Sequence, residues 1–285
     1  MSKPVAILSR TPLHIVVVTI AIIWMLPTVG LLVTSLRPPQ DVGDTGWWTI
    51  FQTPFKLTLF TLENYEAVFA QQGLGQAFLN SLLITVPATI IPILIASFAA
   101  YAFAWMGFPA RDYLFVIVVG LLVVPLQMTF LPILRVFNLL HLSGTFHGIW
   151  LAHTGYGLPL AVYLLHNFIA ALPRDLLDSA AIDGASVLES FFRIVLPLSV
   201  SPIASLVIFQ FLWVWNDLLV ALIYLGGAPN VAPVTLTVAT LVGSRGQDWE
   251  LLTAAAFVSM ALPLAVFFSM QRYFVRGILA GSVKG

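Results

Sequence analysis

Charged residues are missing from long apolar stretches of this sequence, and that spacing decides what the chain can become. No Asp, Glu, Lys or Arg occurs between Glu66 and Arg111, Asp112 and Arg135, Arg135 and Arg174, Arg193 and Asp217, Asp217 and Arg245, or Glu250 and Arg272. Most of these stretches exceed the roughly 20 apolar residues that a helix needs to cross a bilayer. Of the 285 residues, 60% are hydrophobic and 8% charged. A soluble domain carries roughly 25% charged residues, so an ordinary globular enzyme is excluded. Zero net charge offers no basic patch to nucleic acid. The lack of cysteine removes disulfides, thiolate metal sites and a cysteine nucleophile.

The apolar runs predict an all-α polytopic membrane protein with six transmembrane helices, over Leu13–Leu36, Gln76–Trp105, Tyr113–Leu134, Phe146–Phe168, Leu198–Leu225 and Leu252–Phe274. Lys3 and Arg10 ahead of the first run resemble a secretory signal, but no small-residue cleavage site follows, so the run reads as an uncleaved span. One set of loops and the termini hold Lys3, Arg10, Arg111, Arg174, Arg193, Arg272, Arg276 and Lys284; the other set holds Arg37, Lys56, Arg135 and Arg245. The excess of positive charge places the first set, and both termini, in the cytoplasm. The chain then divides into a cytoplasmic N-terminus (1–12), a permease domain (13–274) and a cytoplasmic tail (275–285). Its outer loops 37–75 and 226–250 are long enough to be ordered, and Trp47, Trp48 and Trp249 fall within them. Prolines 27, 87, 92, 125, 132, 159, 202 and 263 lie inside the runs, where they serve either as packing bends or as the lining of a wet cavity.

The inner segment 170–197 carries the most information. Pro173 suits a first helical position, and Asp175 and Asp178 favour a helix N-terminal half, which predicts a helix to about Ile182. Gly184 then supplies a position free of Cβ for a positive φ or a close approach. Ser186 and Glu189 have capping-box spacing, so a second helix is expected from Val187, with Val187, Leu188, Phe191, Phe192 and Val195 on its apolar face. Small residues, Ser179, Ala180, Ala181 and Ala185, surround the turn. A hairpin that merely joins two spans would show the same features.

Asp178-Ser179-Ala180, three residues, Gly184, nine residues and Ile194-Val195-Leu196-Pro197 reproduce the spacing of the EAA loop of ABC-importer permeases, with Asp for Glu and Ser for Ala at the first two positions. Leu62-Glu63-Asn64-Tyr65, Trp215-Asn216-Asp217 and the ending from Phe274 to Gly285 extend the likeness over nearly the whole chain. Together they resemble the maltose-transporter G-subunit family of carbohydrate permeases. Trp47-Trp48 and the Val231–Trp249 loop are similar to alpha-glucoside members.

The resemblance implies the type I ABC-importer permease fold in a bacterial or archaeal cytoplasmic membrane. It implies that Asp178, Ser179, Ala180, Asp183, Gly184, Leu196 and Pro197 couple the spans to an ATPase. The tail Gly281, Ser282, Val283, Lys284 and Gly285 would reach into the ATPase dimer interface, and the loop 226–250 would insert into a binding protein. Implied partners are a second homologous permease, an ATPase homodimer, an extracytoplasmic sugar-binding protein and the lipid bilayer. The implied solute is a sugar, an alpha-glucoside of maltose or trehalose type. No Gly-x-x-x-x-Gly-Lys loop occurs, so ATP and Mg belong to the partner ATPase, and the chain itself is expected to hold no cofactor and to be no enzyme.

Asp217 is the one carboxylate within a predicted span, and intramembrane charge is costly enough to mark function. With Trp213, Trp215 and Asn216 it forms a candidate substrate pathway; the alternative is that it satisfies backbone near the outer end of the fifth span. His141, His147, His153 and His166 lack a metal-gathering spacing and read as packed or interfacial. An ABC permease for a non-sugar solute and an ion-driven secondary transporter stay open as alternatives. The second would be expected to show two similar halves and further intramembrane ligands.

Overall fold

The computed structural model describes residues 3–52, 60–241 and 248–282. Every regular element among them is helical: α1 (Lys3–Ser35), α2 (Pro39–Asp44), a 3-10 turn (Trp47–Gln52), α3 (Glu63–Ala70), α4 (Leu74–Trp105), α5 (Arg111–Gly120), α6 (Leu126–Leu139), α7 (Phe146–Ala170), α8 (Arg174–Ile182), α9 (Val187–Ser190), α10 (Leu196–Leu198), α11 (Val200–Trp215), α12 (Leu219–Leu225), α13 (Val234–Leu241) and α14 (Trp249–Ser282). Helices and closed barrels are the structures that keep backbone groups paired inside lipid. Three helices are long and apolar enough to cross a membrane, Thr11–Ser35, Leu74–Trp105 and Trp249–Gln271, and there are six spans when each of three bent helix pairs counts as one.

The bends correct two expected spans. Tyr113–Leu134 is not one rod, because 111–123 and 126–139 meet at 105°. Pro125 has no N–H to donate and forces Val124 into extended backbone (φ −73°, ψ 117°), which ends the helix. Arg135, expected in a loop, therefore sits exposed within α6. Leu198–Leu225 is likewise broken, with α11 ending at Trp215 and α12 starting at Leu219. Before it, Val187–Leu198 and Val200–Trp215 meet at 73°, where Pro202 leaves the carbonyl four residues earlier without its helical donor. The helix that contains the last span starts at Trp249 and continues through the described part of the tail, to Ser282.

Contacts divide the chain into two units, Met1–Leu74 with Val238–Val258 and Gly75–Thr237 with Ser259–Gly285. In the first, the described part of the segment after α1 is tied back to the end of that helix. Asn64 Nδ2 donates to the carbonyls of Ser35 (2.9 Å) and Arg37 (2.8 Å), satisfying oxygens that the end of α1 leaves orphaned. Arg37, 3% exposed, turns back on the carbonyls of Asp41 and Thr45. Of the most apolar window of α1, only 6% is buried within the chain.

In the second unit α7 is the axis. Ile149 and Ala152 near its start pack with Ile84, Phe137 and Tyr224, while Val162, Leu165 and Ile169 near its end pack with Ala96, Ala100 and Phe191. Small residues on α4 let the helices approach closely, which is what packing rewards in lipid. The outer loop after α12 is fixed to α4: Asn80 Nδ2 donates to the carbonyls of Asn230 (3.2 Å) and Ala232 (3.0 Å), and the Val234 N–H donates to Ser81 Oγ (2.8 Å). Within this unit Thr129 Oγ1 gives its only hydrogen to the Leu126 carbonyl (2.6 Å). The Tyr156 hydroxyl must then donate to Thr129 (2.8 Å), and the Tyr224 hydroxyl to Tyr156 (2.7 Å). One directed chain of hydroxyls thus ties α6, α7 and α12 together.

Candidate coupling element and translocation path

The segment 170–197 folds as two helices about a tight turn. Pro173 stands one residue earlier than expected, as the N-cap of α8, and α8 ends at Ile182 as the sequence suggests. Gly184 has φ +79°. Its N–H donates to the Ala181 carbonyl (3.1 Å) and the Ala185 N–H to the Ala180 carbonyl (2.9 Å), the paired bonds of a Schellman ending. No atom lies within 4 Å of where a Cβ at Gly184 would stand, so backbone conformation, not close packing within the chain, is what requires glycine there.

Ser186 and Glu189 form the anticipated capping box, Ser186 Oγ accepting from the Glu189 N–H (3.3 Å) and Glu189 Oε2 from the Ser186 N–H (2.9 Å). Bonds from the Ser186 N–H and hydroxyl, and then Arg193, hold the Glu189 carboxyl below its usual range. The expected single apolar face splits. A π-helical turn over Phe191–Val195 rotates Phe191 and Val195 into the core and leaves Val187, Leu188 and Phe192 exposed. Phe191 stacks on Phe98 of α4 (4.6 Å) and leans on Tyr101 (5.4 Å), whose hydroxyl donates to the Val187 carbonyl (3.3 Å). Asp178, Ser179, Asp183 and Gly184 are exposed and Ala180 is buried; in α10 Leu196 packs against the core while Pro197 is exposed. The outcome is a bare turn mounted on α4 through an aromatic contact. Gly281 and Ser282 end α14, and Val283–Gly285 lie outside the described residues.

The four pathway candidates do not stay together. Trp215 is 2% exposed, stacks on Phe211 and donates its indole N–H to the Ser259 carbonyl (3.0 Å), so it belongs to the core. Asn216 bonds back to the Leu212 carbonyl (2.7 Å). Asp217 accepts from the N–H groups of Val220 (3.2 Å) and Ala221 (2.9 Å), starting α12, while its own carbonyl accepts from Thr235 Oγ1 (2.6 Å). Trp213 stays half-open beside a cavity of about 420 Å³ that Tyr156, Gly157 and Gln210 also line.

His153, which no spacing sets apart from the other histidines, is 1% exposed. It stands edge-on to Trp213 (5.3 Å), with Nε2 3.9 Å from Asp217 Oδ2. Tyr156 and Gln210, which line the same cavity, were likewise missed. Helical periodicity was the available signal: Phe211 and Trp215 share one face of α11, Phe209 and Trp213 the other.

Apolar helices of spanning length with an exposed, glycine-turned helix pair mounted on them are the architecture of a polytopic membrane protein. The chain belongs to the family described as binding-protein-dependent transport system inner membrane component, whose sequence profile matches residues 88–280. It is an integral inner-membrane permease of the ABC-importer type, with the fold expected from the sequence. It is 64% identical to the osmoprotective compounds uptake permease protein GgtD of Synechocystis sp., over 97% of this chain and 93% of that one. It is 41% identical to the alpha-glucoside transport system permease protein AglG of Rhizobium meliloti, over 97% and 98%. In fold it resembles a chain in the crystal structure of a bacterial ABC transporter that imports the acidic polysaccharide alginate, with a TM-score of 0.77 and 15% identity over 96% of this chain and 99% of that one.

Proposed function

We propose that this chain is one permease subunit of a binding-protein-dependent importer for a small, neutral, hydroxyl-rich sugar of the alpha-glucoside class, such as a maltose- or trehalose-type solute. The observation that carries the coupling role is the exposed Schellman turn at Asp183–Ala185, built onto α4 through Phe191. In this reading Asp178, Ser179, Asp183 and Gly184 meet the ATPase, buried Ala180 packs beneath them, Leu196 holds the second helix to the spans, and exposed Pro197 lies beside it. An alpha-glucoside permease among the relatives favours the solute class.

ATP binds and is hydrolysed on a partner ATPase homodimer, with both termini of this chain in the cytoplasm and the loop 226–250 facing an extracytoplasmic binding protein. The closed ATPase dimer favours an outward-open path, and hydrolysis restores the inward-facing state. Each ligand shifts that balance only by its different affinity for the two states. A second, homologous permease completes the path, which the scarcely buried surface of α1 supports.

The purified chain alone is expected to hydrolyse no ATP. The assembly is expected to weigh as one copy of it, one related permease and two ATPases. Turnover by the lone chain, or a functional homodimer of it by mass measurement, would contradict the division of labour.

A further inference from the structure

Four tryptophans lie in the second unit, and three of them donate their indole N–H to a backbone carbonyl: Trp105 to Ile169 (3.0 Å), Trp150 to Leu83 (2.9 Å) and Trp215 to Ser259 (3.0 Å). Among the described residues Trp213 donates to none, and the His153 ring stands perpendicular to it at 5.3 Å. One turn earlier on α11, Gln210 Nε2 donates to the Ala88 carbonyl (3.1 Å) while its Oε1 accepts from no described residue. Both side chains line the cavity of about 420 Å³ whose other walls include Ile93, Leu160 and Phe209. An unpaired donor and an unpaired acceptor at membrane depth are costly unless something polar meets them.

We propose that Trp213 and Gln210 form a subsite for one hydroxyl-bearing ring of the transported solute, with the Trp213 indole N–H donating to one hydroxyl and Gln210 Oε1 accepting from another. The proposal rests on the functional reading above and assigns part of the solute contact to this chain. The volume lies within the range of ligand sites of roughly 300–1,000 Å³. Trp213 offers a flat apolar face with a polar edge, which suits a sugar ring. His153, buried behind it, fixes the indole plane and acts as a positioning residue.

Gly157 fits the same arrangement. A Cβ there would stand 2.6 Å from both Gln210 Oε1 and Nε2, so the bare α7 backbone is what lets the amide lie at the cavity wall. Two polar contacts amid aliphatic walls hold a solute loosely, as a passage site must if the solute is to leave.

The test uses the complete transporter in proteoliposomes with its binding protein, comparing uptake of trehalose with each of its monodeoxy analogues. In the parental protein at least one missing hydroxyl is expected to slow uptake about three- to tenfold, the worth of one neutral hydrogen bond. Trp213→Phe keeps an aromatic ring and removes the N–H. With it, that particular penalty is expected to disappear, both sugars moving at one reduced rate, and Gln210→Met is expected to erase the penalty at a different hydroxyl. A ratio between two sugars does not depend on how much variant folds. Parental ratios retained by both variants would overturn the subsite alone. A parental transporter that takes up no glucoside would overturn the functional reading and the subsite with it.

Discussion

A transporter carrying Gly184→Val reaches the membrane at parental levels, binds its ATPase weakly and imports no solute above background. The reason lies in the φ of +79° at that residue. A residue with a Cβ in the left-handed region costs about 1–2 kcal/mol, and a β-branched one sits at the upper end or beyond. The turn has two ways to respond. It can hold the Schellman bonds and carry the strain, or release them and swing α9 away from α8. Either response takes the exposed turn out of its docking shape, and about 1.4 kcal/mol already weakens association tenfold. Open space around the absent Cβ means that size adds nothing within this chain, so Gly184→Ala is expected to show much of the same defect, at about 1 kcal/mol. Because the turn lies outside the apolar helices, insertion and core packing survive. Co-purification with the ATPase, together with binding-protein-stimulated hydrolysis, checks this. Parental values of both in Gly184→Val would remove the coupling assignment from the segment 178–197.

The second large effect falls on Asp217. Its two carboxylate oxygens each accept one N–H at the start of α12, from Val220 and Ala221, which are 1% and 2% exposed. Its carbonyl holds Thr235 of α13. Asp217→Ala leaves both donors without a partner in a region that water does not reach, at about 2 kcal/mol or more. The solubilised complex is therefore expected to unfold at a clearly lower temperature and to import poorly. Asp217→Asn keeps one acceptor oxygen but turns an NH2 toward the other N–H, so about half the loss is expected. Uptake lost in Asp217→Asn with the unfolding temperature unchanged would contradict the capping role and point to the charge itself, 3.9 Å from His153 Nε2.

The local structure of the candidate coupling segment was legible in the sequence because its signals are local. Pro173, Gly184 and the Ser186–Glu189 pair each act within four residues of where they stand, and the structure places a helix start, a left-handed turn and a capping box at those positions. The candidate translocation path was legible only in part. Trp213 and Trp215 are adjacent in a string, yet two residues along a helix turn side chains about 200° apart, so one lines the cavity and the other joins the core. His153 and Tyr156 reach the same region from about 60 residues earlier in the chain, and no local pattern predicts that meeting. Pro125 was one of eight prolines able to bend a run, but that it would break one, and that Asn216–Leu218 would break another, was hidden for another reason. Hydropathy reads whether a residue prefers lipid, and it stays high across a bend that costs only one or two backbone bonds.

The most direct test of the permease assignment is ATP-dependent uptake in proteoliposomes that contain this chain, its related permease and the ATPase pair, with the binding protein outside and maltose or trehalose as solute. The account predicts accumulation that requires ATP, the binding protein and this chain together, that vanadate abolishes, and that an imposed ion gradient does not replace. Accumulation driven by an ion gradient without ATP, or undiminished when this chain is left out, would contradict it.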